Sequence, residues 1–178
     1  MELTEFQIHS AYDHKALKTM CRVLRKTVRR KRAIAARVFG WLVIAFYALV
    51  RVGLLLLGDY SIDFMGVVSA LCILFVLSAL LFEDDLNAWV ASKNLLPGTR
   101  EADTRFCEDE YIVTTQATQT HMHYENIGVV GETKDSFVFI IGKRHAQQFP
   151  KAGLASGTPE QFRDFIAAKT GLSVRYVK

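Results

Sequence analysis

The histidines and cysteines are the side chains of this chain best suited to chemistry, and their spacing limits what they can do. His121 and His123 alternate along a β-rich run, so both would project from one face of a strand, close enough to share a metal ion. No third ligand lies nearby, so a pair of surface histidines is the simpler interpretation. Cys21, Cys72 and Cys107 are spread over three different segments. They predict no disulfide framework and fit a reducing compartment.

Arg51 is the one charged residue in the apolar run 38–58. An arginine inside a membrane helix costs roughly 2.5 to 3.5 kcal/mol on insertion scales, so it is a functional candidate by default. It lies seven residues before Gly58, so its side chain could partly reach the membrane–water interface at that end of the span. Asp63 lies at the same end and could pair with it. Three interpretations stay open: snorkelling with local pairing, recognition of a partner helix, and an ion or substrate pathway.

Catalytic motifs do not occur in the sequence. There is no phosphate-binding loop, dinucleotide-binding glycine pattern, zinc-binding cysteine set or nucleophile elbow. Serine, histidine and aspartate residues lie apart, and a C-terminal region of about 75 residues offers little volume for a catalytic pocket. We therefore expect a protein that is not an enzyme and that needs no cofactor or metal.

Two apolar segments in the middle of the chain have the length of membrane spans. Segments 38–58 and 63–82 would each form a helix of about 30 Å, the thickness of the hydrocarbon core. A buried hairpin in a soluble protein would need far more chain around it. The turn carries two aspartates and no Lys or Arg, whereas residues 1–37 carry ten Lys/Arg and three acids. The positive-inside rule then predicts two spans with both termini in the cytoplasm.

The net charge of +4 is therefore unevenly distributed, which argues against a uniformly basic nucleic-acid binder. Within 1–37, apolar residues recur at helical spacing between basic ones and indicate an amphipathic helix that could run on into the first span. Its basic residues could contact anionic lipid headgroups, or serve as a topology signal on a solvated face. They are Arg22, Arg25, Lys26, Arg29, Arg30, Lys31, Arg32 and Arg37.

The cytoplasmic flanks complete the predicted architecture. Residues 83–103 form an acidic helical neck and linker, in which Glu83, Asp84 and Asp85 are expected to pair with Arg37 and its neighbours. Residues 104–178 consist of short β-rich runs and then a helix capped by Thr158 and ended by Gly171. This pattern predicts an antiparallel sheet or partial barrel closed by the helix, in outline a pleckstrin-homology-like module. Residues 3–8 are expected to add a strand at its edge.

The chain resembles the YcxB-like family of small bacterial membrane proteins. The matching motifs are Phe6-Gln-Ile-His-Ser-Ala-Tyr-Asp13, Phe106 with Asp109-Glu-Tyr-Ile-Val-Thr114, Tyr124-Glu-Asn-Ile127, Phe137-Val-Phe-Ile140 and Phe149-Pro-Lys151. In the family the position of Tyr124 is usually tryptophan. The resemblance implies a membrane hairpin that carries a cytoplasmic domain similar to the pleckstrin-homology fold, and it implies no activity.

Two functions are compatible with these features. The first is a module of the bacterial inner membrane, anchored by the hairpin, whose α+β cytoplasmic domain binds a protein or lipid partner. The second is a small oligomeric transport or immunity accessory that acts within the bilayer through Arg51. Both interpretations include contact with anionic lipid and a protein partner or homo-oligomer, and neither includes nucleic acid.

Overall fold

The computed structural model describes residues 5–58, 64–142 and 145–178 of the chain. They form an α+β structure. The helices are α1 His14–Lys26, α2 Arg30–Leu56, α3 Phe64–Leu81, α4 Glu83–Lys93 and α5 Pro159–Thr170. The strands are β1 Phe6–Ala11, β2 Glu101–Phe106, β3 Glu110–Thr115, β4 Gln119–His123, β5 Ile127–Glu132, β6 Ser136–Ile141, β7 His145–Pro150 and β8 Arg175–Tyr176.

The strands form two four-stranded sheets. One has the order β1-β2-β3-β4 and is antiparallel, and the other has the order β7-β6-β5-β8, with β8 parallel to β5. The prediction of a single sheet that winds up on itself is therefore wrong, and the described strands do not close a barrel. A short 3₁₀ helix at Tyr124–Asn126 separates β4 from β5, so the chain changes sheet there. β1 of the first sheet also bridges the segment after β7, where Ile8 pairs with Leu154.

Aromatic side chains from both sheets and from α5 fill the space between the sheets. Phe106, Tyr111, Phe139, Phe149 and Phe162 are fully buried, and most of their ring contacts are edge to face. Such pairs add about 0.5 to 1.5 kcal/mol each beyond their area burial. The helix α5 therefore covers this core, as the sequence predicts.

The ends of α5 have the predicted chemistry. The side chain of Thr158 accepts a hydrogen bond from the Gln161 amide, and the Gln161 side chain accepts one from the Thr158 amide. Gly171 ends the helix in the left-handed conformation, with a φ of 65°.

The N-terminal strand belongs to the C-terminal domain. β1 pairs antiparallel with β2, from Phe6 opposite Phe106 to Ala11 opposite Glu101. Ile8 is 1% exposed and forms part of the aromatic core. The predicted pairing of this segment is confirmed for the described residues, and residues 3 and 4 lie outside them.

α1 docks on the second sheet by its apolar face. Leu17, Val23 and Leu24 pack against Val138, Ile140 and Val177 of the sheet region and against Ala88 of α4. Asp13 caps the start of α1, since its side chain accepts a hydrogen bond from the Ala16 amide at 2.7 Å. The helix does not run on into the next one, because Thr27 leaves helical geometry with φ −110° and ψ −89°.

Among the helices that the structure describes, α2 alone is long and apolar enough by itself to cross a membrane. Its most apolar window has a mean hydropathy of 2.1 and is only 6% buried. Residues 66–81 meet the same test only together with α4, to which they are bent by 80°. α2 packs against α3 where a Cβ on Gly40 would lie 2.9 Å from Leu80.

Candidate functional site

A basic pocket lies where α1, α2 and the C-terminal strand meet. It has a volume of about 590 Å³, and Ile34 and Tyr176 contribute to its wall. Thr27, Ala33 and Val177 also line it. The remaining six residues are basic: Arg25, Lys26, Arg30, Arg37, Arg175 and Lys178. We refer to this cavity as the basic pocket.

The break between α1 and α2 builds one wall of the basic pocket. The hydroxyl of Thr27 donates to the carbonyl of Val23 at 2.6 Å, and the Arg29 amide donates to the Leu24 carbonyl at 3.0 Å. These bonds hold the turn that redirects the chain into α2. Arg30 is therefore the first residue of α2, with its side chain beside the cavity.

The C-terminal strand builds the opposite wall. Arg175 pairs with Gly131 in the parallel register of β8 on β5, and the Val177 amide donates to the Glu132 carbonyl at 2.7 Å. Val177 is buried against α1, while Arg175 and Tyr176 are exposed. Lys26 Nζ donates to the main-chain oxygen of Lys178, which joins the two walls.

An ion-pair cluster lies beside the pocket, between the basic helices and the first turn of α4. Arg25 donates to both carboxylate oxygens of Asp84, at 2.7 and 2.6 Å. The remaining contacts are Arg37–Glu83 at 3.4 Å, Arg25–Glu83 at 3.7 Å, Arg22–Asp84 at 3.7 Å, Lys18–Asp85 at 2.6 Å and His14–Asp85 at 3.5 Å. The predicted pairing with Arg37 is confirmed for Glu83. Asp84 and Asp85 also pair with basic residues, but these residues belong to α1.

The charges of this cluster shift one another's titration. The hydrogen bond from Lys18 lowers the pKa of Asp85, and the hydrogen bond to Asp84 raises the pKa of Arg25. Burial, with a smaller effect of the Asp84 charge, raises the pKa of the Cys21 thiol, so this cysteine is a poor nucleophile.

The eight basic residues predicted to contact headgroups therefore fall into two groups. Arg22, Arg25 and Arg37 form ion pairs with the neck, and Lys26 bonds the Lys178 carbonyl. The remaining four form no ion pair with the described residues: Arg29, Arg30, Lys31 and Arg32. Among these four, Arg30 lines the basic pocket.

Sequence reasoning missed the contribution of Arg175 and Lys178. They lie more than 130 residues from Arg37, and only the pairing of β8 with β5 brings them to α2. A two-residue strand leaves no periodicity to detect. The strand β7 was missed as well, since the last β-rich run identified in the sequence ends at Ile141.

The intramembrane pair stays a prediction. Arg51 lies half-buried on α2. Asp63, its predicted partner, lies outside the described residues.

The histidine pair stands at an edge of the first sheet. Both residues are exposed on β4, and His121 Nδ1 lies 2.6 Å from Glu110 Oε1. Within the described ranges, no group of three metal-ligating side chains comes together.

Residues 106–166 match the sequence model of the YcxB-like protein family. The predicted resemblance is confirmed over this segment, which runs from the end of β2 into α5. No curated protein and no solved structure shows a significant match to the chain. The match contains the aromatic core, whereas the residues of the basic pocket lie before and after it.

A second, larger cleft of about 1120 Å³ lies between α1 and the second sheet. Most of its cationic residues have carboxylate partners. These contacts are Lys15–Asp135, Lys18–Asp85, Arg22–Asp84 and Lys151–Glu132. The basic pocket therefore offers the more available positive charge, and it is the better candidate for a ligand site.

Proposed function

We propose that this chain is a non-enzymatic binding or regulatory module of the bacterial inner membrane. A two-span hairpin anchors it with both termini in the cytoplasm. Its cytoplasmic domain, similar to the pleckstrin-homology fold, is presented to a protein or lipid partner. The observation that carries the proposal is the pairing of β1 with β2 across the two apolar helices.

That pairing supports an even number of membrane crossings. β1 precedes α2 and α3 in the chain, and β2 follows them. A single crossing would put the two strands on opposite sides of the bilayer, where they could not share hydrogen bonds. If α2 crosses the membrane, α3 has to return the chain, which corresponds to the two spans expected from the sequence.

Exposed apolar surface supports the membrane as the surroundings of α2 and α3. Phe39, Leu42 and Phe46 on α2 are more than half exposed, as are Phe64 and Phe75 on α3. Helices that are apolar on all sides and covered by no protein require a lipid environment. The basic residues lie at the opposite end of α2 from the turn, which favours a cytoplasmic start.

The domain architecture supports a binding role. Two packed sheets covered by a C-terminal helix resemble the pleckstrin-homology outline, and function taken from a fold is an argument by analogy. The contacts of α1 with the second sheet and with α4 would hold the domain in one orientation against the membrane. A module of this kind displays a surface at a fixed distance from the lipid.

Cysteine labelling tests the membrane topology. Gly58 lies two residues after α2, and Ser173 is exposed in the C-terminal region. In intact spheroplasts, a membrane-impermeant maleimide is expected to label Gly58→Cys, and to label Ser173→Cys only after lysis. Labelling of the parent chain measures the background signal from its own three cysteines. Labelling of Ser173→Cys from outside, or protection of both sites before lysis, would contradict the proposed anchor.

Site-specific photo-crosslinking in intact membranes tests the binding role. A photoreactive residue at exposed positions of the domain, such as Thr120 on β4, is expected to give a defined protein or lipid adduct. Arg51→Leu should leave that adduct unchanged if the domain carries the function. Loss of the adduct in Arg51→Leu would favour the alternative, in which the protein acts within the bilayer. No adduct at any position would contradict the binding role.

A further inference from the structure

We propose that the basic pocket binds the phosphate group of an anionic phospholipid from the cytoplasmic leaflet. The inference rests on the proposed membrane anchor and names a ligand for it. The site is formed by the end of α1, the first turns of α2 and the C-terminal strand. It would therefore exist only when both ends of the chain are folded together.

Unbalanced positive charge is the first argument. Arg30 and Arg175 line the pocket from opposite walls, and neither forms an ion pair with the described residues. Arg25 and Arg37 are already balanced by Asp84 and Glu83. Two guanidinium groups that share a cavity, with no Asp or Glu partner among the described residues, favour a multivalent oxyanion. Arginine matches phosphate through parallel hydrogen bonds.

The depth of the pocket relative to the apolar part of α2 is the second argument. The apolar run begins at Val38, and the pocket is lined by Ile34 and Arg37 just before it. At about 1.5 Å per residue, Ile34 lies about 6 Å from the start of that run. A headgroup layer is about 5 to 8 Å thick. The pocket therefore lies at the depth of lipid phosphates.

The mixed character of the wall is the third argument. Ile34 is 51% exposed, and it faces the pocket together with the arginines. A free phosphate ion would gain nothing from this apolar side chain, whereas the glycerol and first methylenes of a lipid would cover it. A volume of about 590 Å³ accommodates a headgroup with its glycerol. A phospholipid fits the positive charge of the basic pocket, its depth in the membrane and the apolar part of its wall.

The test uses the full chain in detergent and compares lipid retention by native mass spectrometry. The probes are phosphatidylglycerol, phosphatidylcholine of the same acyl chains, and inorganic phosphate. We expect phosphatidylglycerol to be retained in preference to phosphatidylcholine, and inorganic phosphate at equal concentration not to displace it. In Arg30→Gln with Arg175→Gln, the affinity for phosphatidylglycerol should fall at least about tenfold, because two charge-assisted contacts are lost.

A matched double variant provides the control. Lys31→Gln with Arg32→Gln removes the same charge from neighbouring exposed positions that do not line the pocket. Its affinity for phosphatidylglycerol should change less than about threefold, since it loses only the screened long-range attraction. Unfolding temperatures of both variants close to that of the parent chain would establish that the domain remains folded.

Three results would overturn the inference. They are equal losses in the two double variants, no preference for phosphatidylglycerol in the parent chain, and displacement of the lipid by inorganic phosphate. Cysteine labelling of the same variants keeps this inference separate from the anchor. If labelling gives the proposed topology but the pocket variants retain phosphatidylglycerol like the parent chain, the lipid site is rejected and the membrane anchor stands. If labelling gives a different topology, the membrane anchor is rejected, and the lipid site with it.

Discussion

Glu132 is the most consequential charged residue inside the domain. It is 5% exposed at the end of β5, and both of its oxygens accept hydrogen bonds from Arg163 of α5, at 2.7 Å each. Lys151, directly after β7, also donates to it at 2.6 Å. One carboxylate therefore joins α5 to two strands of the second sheet. These bonds, the one from Arg163 first, hold the pKa of Glu132 below its ordinary value.

Replacing Glu132 by glutamine should destabilise the domain by about 2 to 3 kcal/mol, since two cations lose their partner and only part of that loss is recovered from water. The free energy of unfolding of the full chain in detergent measures the effect. Glu125→Gln is the matched control, because Glu125 is exposed and forms no ion pair with the described residues. Equal stability of the two variants would show that the ion pairs of Glu132 with Arg163 and Lys151 contribute little to folding.

The same carboxylate predicts the direction of a pH effect. Because the pKa of Glu132 is lowered on folding, its stabilisation is fully present above the unfolded value of about 4.3. It is lost as the pH falls through the lower folded pKa. The difference in unfolding free energy between the parent chain and Glu132→Gln should shrink as the pH falls below about 4.3. A constant difference down to pH 3 would contradict the assignment.

Among the secondary structure elements, α1 and α4 are joined by the pair Arg25–Asp84. Their side chains are only 14% and 12% exposed, and two hydrogen bonds connect them. A double-mutant cycle with Arg25→Ala and Asp84→Ala should give a coupling free energy of about 2 kcal/mol. The exposed pair Lys15–Asp135, at 3.9 Å, should give less than about 0.5 kcal/mol in the same assay. Equal coupling in both cycles would mean that burial adds nothing to the first pair.

The contact between α2 and α3 depends on a small residue at Gly40. A Cβ there would meet the end of the Leu80 side chain at 2.9 Å, whereas Gly53 on the same helix has nothing within 4 Å. Leucine at position 40 should therefore force the helices apart and cost about 1 to 3 kcal/mol. Gly53→Leu should be nearly neutral. Thermal unfolding of both variants in detergent makes the comparison, and equal shifts would show that the helices do not pack at Gly40.

The elements that could be predicted from the sequence are those defined by local features, such as helix caps and hydrophobic periodicity. The capping of α5 by Thr158 and its end at Gly171 are local chemistry, and both could be identified before the structure was known. The ion pairs of the neck followed from opposite charges placed at the ends of adjacent helices. The split into two sheets could not be predicted, because it depends on a three-residue turn at Tyr124. Arg175 was missed for a related reason, since its position in the pocket depends on long-range pairing.

At the scale of the whole molecule, the two ends of the chain form one domain that the apolar hairpin interrupts. β1 supplies Ile8 to the core, and Phe6 packs on α5 with ring centroids 5.4 Å from Phe162 and 5.1 Å from Phe165. α1 covers the second sheet from the same N-terminal segment. The region after the hairpin therefore lacks both an edge strand and a covering helix when it stands alone.

A permuted chain tests this dependence. Residues 83–178 followed by a flexible Gly/Ser linker and residues 5–26 contain every described element except α2 and α3, and should fold as a soluble domain with cooperative unfolding. Residues 83–178 alone should not, because the apolar surfaces covered by β1 and α1 would face water. Ile8→Asp in the permuted chain is the matched control and should abolish cooperative unfolding, since it places an unpaired charge in the core. Cooperative unfolding of residues 83–178 alone would show that the domain needs neither N-terminal element.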